Sequence, residues 1–214
     1  KLRELFTHYG FRTWLHELEG AAPATSAVSS QLPLPSPAVE AAPATVERRK
    51  YLALRNEKAL SEFITQLDSA GLVGFDTETT GLEPMLATLV GMSFAFGGSA
   101  WYLPLAHEYP GAPAQVGVDK ALAMLKPWLE SERNAKVGQN LKFDAHILAN
   151  HGVALGGIAH DTLLESYVYE VHERHDMDSM ALRHLGWKTI TYDEVTGKGA
   201  SRIPFSAVEI GRAT

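Results

Sequence analysis

The spacing of apolar residues changes several times along this chain, and each change predicts an element. Over 56–70, Leu60, Phe63, Ile64 and Leu67 recur at helical spacing, and Gly71 closes the helix. The run Gly71-Leu72-Val73-Gly74-Phe75 is short, continuous and apolar, which reads as a buried strand leading into Asp76. Strands are also predicted over 88–96 and 99–106, joined by Gly97-Gly98 as a hairpin turn. Then helical and extended patterns alternate: a helix over 118–130, a strand over 135–138, a helix over 140–150 ended by Gly152, a strand over 158–160, and helices over 161–171 and 178–185. Hairpin strands followed by alternating strands and helices predict an α/β domain on a mixed sheet flanked by helices. No internal repeat is present.

The first part of the chain has a different texture. Leu2, Leu5, Phe6, Tyr9, Trp14 and Leu15 suggest an amphipathic helix over 1–19, interrupted near Gly10. From 20 to 46 the residues are almost all Ala, Pro, Ser, Thr and Val, with Glu40 as the single charge. Proline is too frequent there for helix or central strand, and large side chains are too few for a core. The expected organisation is therefore the end of a preceding region over 1–19, a flexible linker over 20–47, and the main domain over 48–214.

Composition narrows the function. With 214 residues, 45% hydrophobic, the chain can bury one good core. It has no cysteine, which excludes disulfides and thiolate metal sites. No apolar run approaches a membrane span and the N-terminal residues lack a signal-peptide pattern, so a cytoplasmic protein is expected. The net charge of −6, from 25 acidic and 19 basic residues, is not the footprint of a broad basic face for duplex DNA. Short, site-centred contact with nucleic acid stays open, because bound cations can neutralise phosphate locally.

The candidate chemistry is acidic. On a strand, Asp76 and Glu78 project from one side, two carboxylates that repel and are hard to ionise together without a compensating cation. Such oxygen pairs suit hard divalent ions such as Mg²⁺ or Mn²⁺. The alternative is that Asp76 ends the strand and Glu78 lies in a solvated turn. A second candidate is Gly138-Gln139-Asn140-Leu141-Lys142-Phe143-Asp144, where Asn140 is expected to N-cap a helix and shares a face with Asp144. Against it stands an ordinary capped helix with Asp144 in solvent; Lys142 reads as a solvated residue. His175, Asp176 and Asp178 are not taken as a metal cluster: Asp178 and Asp161 read as helix caps and His175 as a hydrogen-bonded loop residue. None of the nine histidines lies in a zinc-binding array.

Three longer motifs carry a resemblance. Phe75-Asp76-Thr77-Glu78-Thr79, Val137-Gly138-Gln139-Asn140-Leu141-Lys142-Phe143-Asp144 and Arg174-His175-Asp176-Met177-Asp178-Ser179 resemble the 3′–5′ proofreading exonuclease domain of bacterial DNA polymerase I. Lys188-Thr189-Ile190-Thr191-Tyr192 and Gly197-Lys198-Gly199 are similar to it as well, so the likeness runs from about Tyr51 onward. Tyr9-Gly10-Phe11-Arg12-Thr13-Trp14 is similar to the junction after the 5′-nuclease region of that polymerase.

The resemblance implies a ribonuclease-H-like fold and two-metal hydrolysis of the 3′-terminal phosphodiester of single-stranded or mispaired DNA, with Mg²⁺ or Mn²⁺ as cofactors. It implies that Asp76 bridges both metals, Glu78 holds the first and Asp144 serves the second. Thr79, Leu82, Gln139, Asn140 and Tyr192 would order the site or meet the substrate, Leu82 and Tyr192 against the terminal bases. Core packing is the competing role for those last two. The implied partners are a single-stranded DNA 3′ end and a polymerase domain in the same parent chain, in a monomeric protein of the bacterial nucleoid.

One departure stands out. The family's third motif, Tyr-x-x-x-Asp, does not occur in these 214 residues. The chain alone is therefore expected to be weak or inactive as a nuclease. An RNA-trimming exonuclease of the same superfamily and a non-catalytic structural domain of the polymerase are the competing readings.

Overall fold

The computed structural model describes residues 50–212 together with Arg3, Phe6 and Thr7. The chain divides into two units, Lys1–Glu40 and Ala41–Thr214. In the first, Arg3, Phe6 and Thr7 are helical, and the Thr7 hydroxyl donates to the Arg3 carbonyl at 2.8 Å. The rest of the helix expected over 1–19, and the linker expected over 20–47, lie outside the described residues.

The second unit has six strands: β1 (Lys50–Ala53), β2 (Leu72–Thr79), β3 (Leu89–Phe96), β4 (Ser99–Pro104), β5 (Ala135–Gly138) and β6 (Ile158–Asp161). Its helices are α1 (Glu57–Leu67), α2 (Val118–Leu129), α3 (Leu141–Asn150), α4 (Thr162–Tyr169), α5 (Met177–Leu185) and α6 (Tyr192–Thr196). Single 3₁₀ turns follow at Gly199–Ser201, Phe205–Ala207 and Ile210–Arg212. The strands form one sheet in the order β1-β4-β3-β2-β5-β6. β2, β3 and β4 pair antiparallel, whereas β1 with β4, β2 with β5 and β5 with β6 are parallel. The expected mixed α/β sheet is the one observed. The predicted hairpin is also present, with Gly97 and Gly98 both at positive φ, as a tight primed turn requires.

Differences from expectation are local. β1 and α6 are additional elements with little periodic signal of their own. β4 stops at Pro104, after which Leu105 and Ala106 both donate backbone N–H groups to the Val90 carbonyl. α4 ends at Tyr169 rather than 171; Glu170 leaves helical geometry and accepts from Arg183 Nε at 2.8 Å. α5 is capped by Asp176, not Asp178. The Asp176 carboxylate accepts from the Ser179 N–H at 2.9 Å and the Ser179 hydroxyl at 2.8 Å, while Asp178 accepts from the Thr189 hydroxyl.

Strand alternation assigns the two faces of the sheet. Val73, Phe75, Met92, Phe94, Trp101 and Leu103 face one way and pack with Leu60, Phe63 and Leu67 of α1, with Leu122, Leu125 and Trp128 of α2, and with Ile147 and Leu148 of α3. Asp76, Glu78 and Tyr102 face the other way.

One buried group in this core is charged. Lys136 is 0% exposed, and its ammonium donates to the carbonyls of Trp128 at 3.1 Å, Asn134 at 2.9 Å and Ser131 at 3.4 Å. It also lies 4.2 Å from the centre of the Trp128 ring. Two of these carbonyls lie at the end of α2, where the helix dipole favours a cation. Replacing the lysine with an apolar side chain removes a donor from all three carbonyls, of which that of Trp128 keeps the Ser131 N–H at 3.2 Å. Lys136→Met is expected to destabilise the domain by about 1–3 kcal/mol. Urea unfolding would show this as a lower midpoint at unchanged slope.

Candidate active site

β2 runs past its neighbour. Its last residue paired with β5 is Gly74, opposite Val137, and the strand continues to Thr79. Beyond that point the N–H groups on that edge need other partners. Asp144 of α3 supplies one: its Oδ1 accepts the Thr77 N–H at 2.8 Å and the Thr77 hydroxyl at 2.6 Å. Asp144 is only 2% exposed, which overturns the solvated alternative for this residue.

Two local features bring Asp144 there. A Cβ on Gly138 would stand 2.6 Å from the Phe75 carbonyl and 2.5 Å from Leu141, so only glycine lets β5 lie this close to β2 as the chain turns into α3. Asn140 then takes a left-handed conformation, φ 62°, which asparagine tolerates better than most residues. The expected side-chain cap from Asn140 is corrected here: the residue holds the N-cap position but makes no capping bond. Asp161 does that work from β6, accepting from Asn140 N at 3.1 Å and Leu141 N at 2.9 Å. The same carboxylate caps α4, accepting from Leu163 N at 3.0 Å, as its sequence position suggested.

On the other face, Asp76 and Glu78 stand two residues apart with Ser93 and Gly91 as cross-strand partners. Between Glu78 and Thr79 the register slips by one residue of β3. The extra residue, Val90, is turned onto the carboxylate face, where it packs with Phe205 and Val208. The 3₁₀ turn Phe205–Ala207 lies against β2 itself.

The three carboxyl pKa values are all raised. Burial pushes the Asp76 pKa well above the usual carboxylate range, and Asp144 and Glu78 push it further. Asp76 keeps an open side to solvent, so the cost arises from protein crowding its other sides. Glu78 is raised to about 7 by burial and by Asp144. Asp144 is raised by burial against the lowering effect of its bonds from Thr77. Among the described residues, none of the three forms an ion pair with Lys, Arg or His, and no group of three or more His, Asp or Glu side chains stands in an arrangement that could hold a metal ion. Asp144 Oδ1 is committed to Thr77, and among the described residues no other side chain donates to this carboxylate.

The remaining candidates are spread around this centre. Leu82 is 93% exposed, so core packing is not its role, and Met85 and Leu86 on the same loop are exposed as well. Tyr192 opens α6, is 50% exposed, and stacks on Phe205 at a centroid distance of 6.2 Å. Thr79 donates its hydroxyl to the Gly81 carbonyl at 2.8 Å and shapes the loop that carries Leu82. The Gln139 amide is taken up by structure: it donates to the His175 carbonyl at 2.7 Å and accepts from the Thr162 hydroxyl. His175, as expected, is a bonded loop residue, its Nδ1 2.9 Å from the Ser166 hydroxyl.

Sequence reasoning missed Thr77, Tyr102 and His107. The Tyr102 hydroxyl lies 2.6 Å from His107 Nε2, and a Cβ on Gly91 would collide with that hydroxyl at 2.2 Å. The available signal was Gly91 inside the apolar run Leu89-Val90-Gly91-Met92, since a strand glycine marks close approach.

Because folding raises these pKa values, the folded state binds more protons than the unfolded chain. The stability that Glu78 contributes is full below about pH 4.5 and is lost as pH rises through about 7. In chelator-treated buffer, Tm is expected to fall across that interval, and less steeply for Glu78→Gln. Parallel Tm curves for the two proteins would contradict the assignment.

With this geometry in hand, comparison with known proteins is specific. A family model described as 3′–5′ exonuclease matches residues 51–208. DNA polymerase I of Pseudomonas aeruginosa is 44% identical over 167 residues, covering 76% of this chain and 18% of that protein. DNA polymerase I of Rhizobium leguminosarum is 36% identical over 183 residues, covering 77% of this chain and 18% of that protein. The chain thus spans about a fifth of the length of the curated relatives it matches. Among solved structures, the Trypanosoma brucei RNase D–GMP complex superposes with a TM-score of 0.56 at 15% identity, over 72% of this chain and 46% of that one. The POL domain of Pol1 from M. smegmatis, in complex with DNA primer-template and dNTP, gives 0.54 at 20% identity, over 64% and 23%. At such identities these two show the fold alone, the ribonuclease-H-like exonuclease architecture. The chain belongs to the 3′–5′ exonuclease family, in the form carried by bacterial DNA polymerase I.

Proposed function

We propose that this domain removes nucleotides from the 3′ end of single-stranded or mispaired DNA, as the proofreading module of a polymerase in the same parent protein. The observation that carries the reading is the meeting of Asp76, Glu78 and Asp144 at the free stretch of β2, with no cation among the described residues paired to them. Burial raises all three carboxyl pKa values, and the charge of Asp144 raises those of Asp76 and Glu78 further, a costly arrangement unless a ligand of opposite charge compensates it.

The donor set fits hard divalent cations in chemistry: all oxygen, all acidic, no sulfur or imidazole. Asp76, Glu78 and Asp144 would hold them. Two such ions, Mg²⁺ or Mn²⁺, supply an activated water and charge compensation at the scissile phosphate when bound. The chain's own residues do the rest. Thr77 fixes the orientation of the Asp144 carboxylate through Oδ1. Leu82 and Tyr192 present apolar and aromatic surface to the terminal bases, which is tolerant of sequence because every base has a stacking face. The acidic chain, net −6, suits contact with a strand end rather than a long duplex.

The experiment follows Mg²⁺-dependent shortening of 5′-labelled single-stranded DNA. It compares this chain with a version extended by a Tyr-x-x-x-Asp segment, and each with its Asp76→Ala variant. Release of mononucleotides from the 3′ end is expected, strongest in the extended protein. Asp76→Ala is expected to cost at least about 10²–10³-fold, the scale of losing one group that compensates developing charge. An RNA of the same sequence degraded faster than the DNA would transfer the reading to RNA trimming. Isothermal titration of Mn²⁺ into wild type and Asp76→Ala reads the metal site independently of turnover.

A further inference from the structure

Behind Glu78 lies a buried polar chain that hydrolysis does not need directly. Tyr102, on β4, is 2% exposed and reaches diagonally across Gly91, the cross-strand partner of Glu78. Its hydroxyl meets His107 Nε2 at 2.6 Å, and His107 Nδ1 lies 2.8 Å from the Val208 carbonyl. A carbonyl only accepts, so Nδ1 carries the ring proton. In the neutral ring Nε2 then accepts from the Tyr102 hydroxyl. Burial, which holds the His107 pKa below its ordinary value, agrees with a neutral ring.

Each end of this chain is anchored. The His107 backbone is clamped on both sides by Gln115, whose Oε1 accepts from His107 N at 2.9 Å and whose Nε2 donates to His107 O at 2.9 Å. At the far end, Val208 and Phe205 pack on Val90, the residue displaced by the strand irregularity, and Glu108 N donates to the Ser206 carbonyl at 2.6 Å. Phe205 in turn carries the stacked ring of Tyr192 and lies 5.9 Å from the His107 ring. A continuous path therefore runs from the shelf beside Glu78, through two side chains, to the segment on which Tyr192 rests.

The geometry points to Tyr102 and His107 as positioning residues that fix the 205–208 segment, and with it Tyr192, relative to the carboxylates on β2. The 3₁₀ turn Phe205–Ala207 touches β2, yet a 3₁₀ turn has little rigidity of its own. The Tyr102–His107–Val208 bridge supplies a directional tether that apolar contact with Val90 does not. A hydrogen bond fixes angle and register, whereas packing of Phe205 and Val208 tolerates sliding. The distance between the end-packing tyrosine and the carboxylates is thus set from inside the domain. The structural part of this inference stands alone; its consequence for a DNA end rests on the function proposed above.

The test uses the whole chain and two variants, Tyr102→Phe and His107→Gln. Tyrosine rings are isotopically labelled, and backbone amide exchange is recorded. Tyr102→Phe removes one oxygen and keeps the ring, so it decides the matter if His107→Gln unfolds the domain. The expected result is a shift of the Tyr192 ring resonances in Tyr102→Phe, although no contact joins the two tyrosines. Exchange at the Ala207 and Val208 amides should rise about three- to tenfold, the size of one neutral hydrogen bond, while α2 amides stay unchanged. Unaltered Tyr192 resonances with unaltered exchange at Ala207 and Val208 would overturn the bridge.

A fluorescent single-stranded oligonucleotide titrated in Ca²⁺ then reads the consequence. Tyr102→Phe is expected to weaken binding about three- to tenfold in wild type and not at all in a Tyr192→Ala background. Additive losses would show that the pair does not act through Tyr192. Failure of the wild-type chain to bind would count against the nucleic-acid reading, with the bridge still decided by the Tyr192 resonances.

Discussion

The Thr77 N–H is the constraint on which the site turns. β2 must outrun β5 to expose a stretch of edge for chemistry, and an exposed edge leaves backbone donors without strand partners. An unmet buried N–H costs about 1–3 kcal/mol, so a partner had to be found outside the sheet. The carboxylate of Asp144 meets that need: its Oδ1 takes both the N–H and the hydroxyl of Thr77. The tight approach at Gly138 and the left-handed turn at Asn140 follow from the same requirement, because both are needed to swing α3 onto the edge.

The two faces of β2 divide the labour. Val73 and Phe75 bind the strand into an aromatic and aliphatic core with Phe94 and Trp128, which makes the strand hard to displace. The opposite face carries Asp76 and Glu78 under a thin cover from the 205–208 segment. Mutually repelling carboxylates weaken the fold when unliganded, and the rigidity of the other face offsets that weakness. Alternate residues of one strand thus supply the core packing and the candidate carboxylates.

Much of this could be read from the chain alone because it depends on local period. Alternation put Asp76 and Glu78 on one side, Gly97-Gly98 announced the hairpin, and helical spacing located α1, α2 and α3. What escaped depends on pairings far apart in sequence. Spacing alone left Asp144 open between the site and a solvated helix face, because its partner, Thr77, lies 67 positions away. Asn140 looked like a cap because it stands where caps stand; the residue that caps, Asp161, arrives 20 or more positions later from another strand. Lys136 carries no signal in the sequence, since nothing nearby in it announces three converging carbonyls. The displacement of Val90 depends on register between two strands, which composition does not encode.

The shared carboxylate of Asp161 has a consequence for cooperativity. It receives backbone N–H groups from the starts of both α3, which joins β5 to β6, and α4, which follows β6. Helix ends usually fray independently, each at its own small free energy. Here one side chain closes both, so loosening either start releases the other, and the two behave as a single opening unit. The order of the helix that presents Asp144 is thereby tied to that of a helix lying one strand further out. Disturbance of α4 at the domain's margin is felt as loss of definition at its centre.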